Sequence, residues 1–272
     1  MNTYTQIITR TNSARFLNTN ITIPHGTVAI STEAFQKKSK IQQICFPHTL
    51  KRIGARAFRG CCSLSSLTLP ESLYDVGPGA FSDCAALTSA KLPSSLEALP
   101  KELFLQDRAL KHISFTENTQ RTKLIRQRTF EQCTSLTSVG LPDSVDTIGN
   151  RAFYHCKNLS EVHFPSQIRE IGSEAFYNCA MDELILPDSL EYLGDSAFFK
   201  CTHLTHVVLP QSTKYIGKWV FHGCNRLQVL EIRHDPEYIG PWIINRSATI
   251  RCYKDSAVDR YCQEYGFKVS YI

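Results

Sequence analysis

Two sets of side chains in this sequence could do chemistry. The first is a column of thiols: Cys61, Cys84, Cys133, Cys156, Cys179, Cys201 and Cys224 each stand three residues after a phenylalanine. A metal or redox role would need them to converge. Zinc takes four ligands tetrahedrally, which side chains spaced along one line do not supply. Thiols stacked in parallel are also poorly oriented for a disulfide, and no two cysteines form a CxxC pair. The column is therefore expected to be packing, with cysteine as a small apolar residue at a narrow bend. Cys45, Cys62, Cys252 and Cys262 lie off it. Cys45, expected on an exposed strand face, is the thiol with most access to reagents.

The second set mixes carboxylates and imidazoles: Glu161, His163, Glu183 and His206, with Ile185 and Val208 between them. Paired carboxylates can split their pKa values and do acid/base work. Water exclusion is what such work needs, and nothing in the sequence supplies a cleft or lid. A polar surface carrying an apolar strip is the composition of a protein-binding face. These six residues are the expected partner site. A metal-dependent or acid/base enzyme using Glu161, Glu183, His206 and His163 is the alternative, and a purely structural spacer the third reading. A further stretch, ENTQRTKLIRQRTF, gathers Arg121, Lys123, Arg126 and Arg128. It could attract an acidic partner, phosphate or nucleic acid. No aromatic residue interleaves with the basic ones, so a solvated loop is favoured and nucleic acid is not expected. Phosphate-loop, zinc-protease, nucleophile-elbow and dinucleotide motifs are absent, and no cofactor or metal is expected.

What must position these residues is a repeat. Phe35, Phe58, Phe81, Phe104, Phe130, Phe153, Phe176, Phe198 and Phe221 are separated by 23, 23, 23, 26, 23, 23, 22 and 23 residues. Ile244 holds a tenth, degenerate slot. Prolines keep the same step at Pro24, Pro47, Pro70, Pro93, Pro142, Pro165, Pro187 and Pro210, with Thr116 and Arg233 in proline slots. The run Leu64 to Leu69 alternates as a strand with one buried face should. Leu73 and Val76 give a second short apolar segment. A glycine then recurs, at Gly54, Gly77, Gly149, Gly172, Gly194, Gly217 and Gly240, suiting a turn of positive φ or a close backbone approach. The Ala-Phe pair after it predicts a short helical or 3₁₀ turn with the ring inward. One such unit cannot bury its own apolar face, so the period predicts a solenoid of about ten coils. The step of 26 marks an insertion between Thr116 and Phe130. The step of 22 marks a deletion between Cys179 and Pro187.

This spacing also maps the outward face. Two residues before each proline slot stand Cys45, Thr68, Lys91, Ser114, Gly140, His163, Ile185, Val208 and Glu231. Four before stand Gln43, Ser66, Ser89, His112, Ser138, Glu161, Glu183, His206 and Val229. Glu161, Glu183 and His206 are thus expected on consecutive coils.

The unit IGNRAFYHCKNLSEVHFP, residues 148–165, resembles the BspA-type leucine-rich repeats, and the resemblance covers roughly residues 20–245. It implies a leucine-rich-repeat horseshoe with a parallel sheet on its concave face, short strands and 3₁₀ or helical turns elsewhere. It also implies a non-catalytic interaction or adhesion module that binds its partner on that concave face, where the six residues are expected, since members are often surface proteins that bind host proteins. Residues 1–23 are expected as an N-terminal cap or degenerate coil, 24–247 as repeats, and 248–272 as a strand–helix–strand cap. Asp255 and Ser256 suit its helix start and Gly266 its stop.

Bulk composition agrees with a soluble repeat protein. Thirty Lys and Arg against 25 Asp and Glu give a net charge of +5, mild for this length. The opening MNTYTQIITRTNSARF lacks the apolar core of a secretory signal, and no run of 18 apolar residues predicts a membrane span. On that basis the chain as given is expected in the cytoplasm, although family relatives are often secreted. Asn245-Arg-Ser247 fits the glycosylation pattern and matters only on a secretory route.

Overall fold

The computed structural model describes residues 6–16, 18–116 and 121–272. It is a parallel β-solenoid of about eleven turns, one more than the phenylalanine count implies. Most turns carry one longer strand and one strand of about two residues. The longer strands include Gln43–Cys45, Ser66–Thr68, Ser89–Leu92, His112–Phe115, Ser138–Gly140, Glu161–His163, His206–Leu209 and Val229–Ile232. Short strands such as Arg52–Ile53, Thr147–Ile148 and Tyr192–Leu193 stack separately. Pairing is parallel with a register of one repeat: Ser138 lies opposite Glu161, Gly140 opposite His163, and Val208 opposite Glu231. The outward columns expected from the spacing are these registers.

Between the two stacks of strands lies one continuous core. All nine phenylalanines are fully buried, and each ring stacks on the next at centroid distances from 4.9 to 6.2 Å. Ile244 fills the tenth slot, also buried. Offset parallel rings add about 0.5–1.5 kcal/mol per pair beyond area burial.

The turns around each phenylalanine are not helical. Among the described residues the only 3₁₀ segment is Asn12–Arg15 and the only α-helix Ala257–Tyr265. Two residues per coil, two before and two after the phenylalanine, adopt positive φ: Arg151 and His155 around Phe153, both at 58°. A left-handed residue every fourth position cannot continue a right-handed helix. The alternation has a use. Arg151, Phe153 and His155 turn their N–H groups to the next coil, donating to Ser173, Ala175 and Tyr177 carbonyls at 2.8–2.9 Å. The intervening Ala152, Tyr154 and Cys156 close local turns. Every backbone donor in the bend is thereby satisfied.

The recurring glycines have the second of their two expected roles. None has positive φ. A Cβ on Gly194 would stand 2.4 Å from the Ser173 backbone nitrogen, and one on Gly54 2.3 Å from that of Thr32. Adjacent coils touch there through bare backbone.

The irregular coils differ in outcome. Of the inserted stretch, residues 117–120 lie outside the described residues. In the deleted coil, 183–186 forms no strand, although Leu184 and Leu186 still point inward. One residue fewer after Cys179 lets Ala180 N–H reach Leu159 O at 2.9 Å but leaves 183–186 out of the ladder.

At the C-terminal end, strand Thr249–Cys252 pairs with Lys268–Tyr271 across the helix. Ser256 Oγ accepts the Asp259 N–H at 3.1 Å, and Gly266 stops the helix at φ 67°. No helix among the described residues is long and apolar enough to cross a membrane.

Candidate functional site

The cysteine column is built into the core. Each of its seven thiols is buried and donates to the carbonyl of a phenylalanine one coil back, as Cys156 Sγ does to Phe130 O at 3.1 Å and Cys133 Sγ to Phe104 O at 3.2 Å. Burial pushes these thiols up, Cys61 and Cys201 to about 12, which keeps the nucleophilic thiolate out of reach at neutral pH. Cys252 and Cys262 are buried too, whereas Cys45 is exposed and Cys62 joins it.

One position breaks the column. Asp107 stands three residues after Phe104, where seven other coils have cysteine, and it is fully buried. Its Oδ1 accepts the Cys84 N–H at 2.8 Å, while Oδ2 has no partner. Burial raises this carboxyl well above its ordinary range. An aspartate carries no apolar signal in a sequence, and only its spacing marks it as a member of the column.

On the outward face, the six expected partner residues fall into two groups. Glu161 and His163 lie on one strand, with Nε2 of the imidazole 3.2 Å from Oε1 of the carboxylate, both well exposed. Glu183, Ile185, His206 and Val208 line a groove of about 550 Å³ together with Asp182 and Asp188. The groove lies where 183–186 leaves the ladder. Ile185 is 74% exposed and Val208 43%, a pair of apolar side chains rare on an otherwise polar face. His203 reaches Asp182 at 3.4 Å beside them. Asp182, Asp188 and His203 were not among the expected residues. They flank the strand position on turns, where the repeat fixes no residue type.

Glu231, expected on the outward column, is only 2% exposed. Arg233 and Arg251 cover it, the former through a hydrogen bond from Nε and the latter at 3.4 Å. The Arg251 half of that cover comes from the following coil, which a column drawn within one repeat does not show. Among the described residues, no three His, Cys, Asp or Glu side chains could share a metal ion.

The basic stretch divides. Arg128 is held by Glu131 at 2.7 Å and Glu102 at 2.9 Å. Arg121, Lys123 and Arg126 are exposed, and no ion pair joins them to a described residue. Arg121 and Arg126 line a second groove of about 670 Å³ with Lys101, Asp75, Glu97 and Tyr74. Tyr74, 60% exposed, is the aromatic neighbour that the sequence of this stretch lacks. Tyr192, Tyr215 and Tyr238 form another ladder, with rings 4.6 Å apart, which follows the same step of 23. Asn245, half-buried, ties its side chain to the preceding coil, its Oδ1 accepting Gly223 N–H at 2.9 Å and its Nδ2 donating to Asn225.

Repeat length, inward phenylalanine and cysteine, and paired strands on two faces are now all in place. A family model for the BspA type leucine rich repeat region matches residues 12–124 and 123–251 in six copies. The chain belongs to this family. Among solved structures, this BspA-type chain is similar to the pneumococcal vaccine antigen PcpA, at 20% identity over 93% of this chain and 79% of that one, with a TM-score of 0.54. It is also similar to a leucine-rich repeat protein from Bacteroides ovatus, at 24% identity over 96% and 85%, with a TM-score of 0.49. A leucine rich cell surface protein from Faecalibacterium prausnitzii matches at 20% identity over 93% and 88%, with a TM-score of 0.44. PcpA shares the fold. A comparison with curated protein sequences gives no match.

Proposed function

We propose that this BspA-type repeat chain is a non-catalytic protein-interaction or adhesion module. It engages a protein partner on the face of the longer strands through Glu161, His163, Glu183, Ile185, His206 and Val208. The observation that carries this reading is the exposed pair Ile185 and Val208, set in a groove rimmed by Asp182, Glu183 and Asp188. Burying such side chains contributes about 1.5–3 kcal/mol each, which is the scale of an interface anchor. The acidic rim favours a partner with an apolar segment flanked by basic residues. The long parallel stack supplies rigidity, so little ordering opposes binding at this face.

The test compares proteins captured from a native extract by the immobilised wild-type chain and by a Glu161→Ala/Glu183→Ala/His206→Ala variant, each identified by mass spectrometry. The proposal expects one set of captured proteins to be lost or depleted at least tenfold with the variant, at an unchanged thermal midpoint. An identical captured set for both chains contradicts the site assignment.

A further inference from the structure

Outside the face described above, two histidines converge at the N-terminal end. His25 and His48 occupy the same register on successive coils, one residue after Pro24 and Pro47. Their Nε2 atoms stand 3.2 Å apart, and their rings meet tilted at 58° with centroids 4.8 Å apart, both exposed. Each lies in a closed turn. Thr27 N–H donates to Pro24 O at 3.2 Å, and Leu50 N–H to Pro47 O at 3.1 Å. The two turns are also fastened together: Gly26 N–H donates to Thr49 Oγ1 at 3.2 Å, and Thr49 Oγ1 donates to Thr27 O at 2.9 Å. Proline fixes φ before each histidine, and Gly26 at φ 86° completes the first turn with a conformation that other residues avoid. The backbone carrying both rings is thus preset, and only side-chain rotation remains.

We propose that His25 and His48 form a two-histidine chelate for a divalent late first-row transition ion of the nickel, copper or zinc class. Two imidazole nitrogens bound at about 2.0–2.1 Å lie about 3.3 Å apart at a tetrahedral angle and about 2.9 Å apart at a right angle. The observed separation falls between these. Imidazole nitrogen is the ligand type those ions prefer. A hydrogen bond across this 3.2 Å contact takes one ring as its Nε2–H tautomer. Binding requires both rings as the Nδ1–H tautomer, so the shared proton moves to Nδ1 of the donor ring and both Nε2 lone pairs face the ion. No third His, Cys, Asp or Glu is placed to join them among the described residues, so water completes the coordination shell. Such a site is open and exchangeable, suited to binding an ion reversibly at the surface or to sharing it with ligands of a second molecule.

The test is a calorimetric titration of the whole chain with nickel(II) chloride, in a Cys45→Ser/Cys62→Ser background that removes the two exposed thiols. The expected result is one ion per chain in wild type and His112→Ala, and an affinity at least tenfold weaker in both His25→Ala and His48→Ala. Metal-free thermal midpoints should match throughout, which separates ligand loss from misfolding. No binding at millimolar nickel, or binding that either histidine variant leaves unchanged, overturns the proposal.

Discussion

Two columns run the length of this solenoid with the same 23-residue step and opposite content. Inside, nine of ten slots hold phenylalanine, and the tenth holds Ile244. Outside, two residues before the nine proline slots from Pro47 to Arg233, stand Cys45, Thr68, Lys91, Ser114, Gly140, His163, Ile185, Val208 and Glu231, nine different residue types. Backbone geometry is shared, so it is not what separates them. A buried ring has stacked neighbours above and below that fix its size and shape. An outward strand residue mostly meets solvent, and the fold accepts nearly any side chain there. The fold is therefore written inside, and the outside is left free to take the side chains that function needs.

Four substitutions break or sharpen that contrast. Phe153→Ala should cost most, about 3–5 kcal/mol, because its neighbours on either side cannot collapse into the gap. Denaturant midpoints would show it, with a broadened transition if the stack uncouples at that rung. Gly194→Ala follows at about 3 kcal/mol, since the new methyl would press on Ser173 backbone at 2.4 Å. A midpoint equal to wild type would mean the coils can slide apart, against the close-approach reading. Asp107→Cys runs the other way and should stabilise by about 1–3 kcal/mol at pH 7, the scale of an unsatisfied buried acceptor. Its pH dependence has a definite sign. The folded carboxyl titrates above the unfolded one because of burial, so wild-type stability from this group is complete below the unfolded carboxylate range and falls as pH rises toward the folded value. The gap between variant and wild type should widen from pH 4 to pH 7; a constant gap would contradict the buried neutral acid. Ile185→Asp should change stability least, within about 0.5 kcal/mol, while weakening partner binding about tenfold or more. Equal losses in stability and binding would place Ile185 with the inward set.

Much of the fold is legible in the residues alone. The phenylalanine and proline steps set the turn length, and period-two alternation then fixes which residues share a face, down to Ser138 opposite Glu161. What escapes depends on contacts between coils. The glycine column fits two causes equally, and the 2.3–2.9 Å approaches single out one. Left-handed residues such as Glu174, Arg56 and Trp219 carry no sequence mark, because the alternating hydrogen bonds to the next coil impose their φ. Glu231 disappears under Arg251, twenty residues on, and Tyr74 meets Arg121 and Arg126 only once the coils stack. The candidate face is readable as a set of columns. Its groove is not, because the deletion that opens it removes a strand pairing instead of adding a residue.

The central claim is that partners meet the outward face around Ile185, and site-specific photocrosslinking tests it most directly. A photoreactive amino acid is placed at Ile185 in one chain and at Tyr74, beside the other groove, in a second. A captured partner should crosslink from position 185 and not from position 74. Crosslinking from position 74 with none from 185 would contradict it.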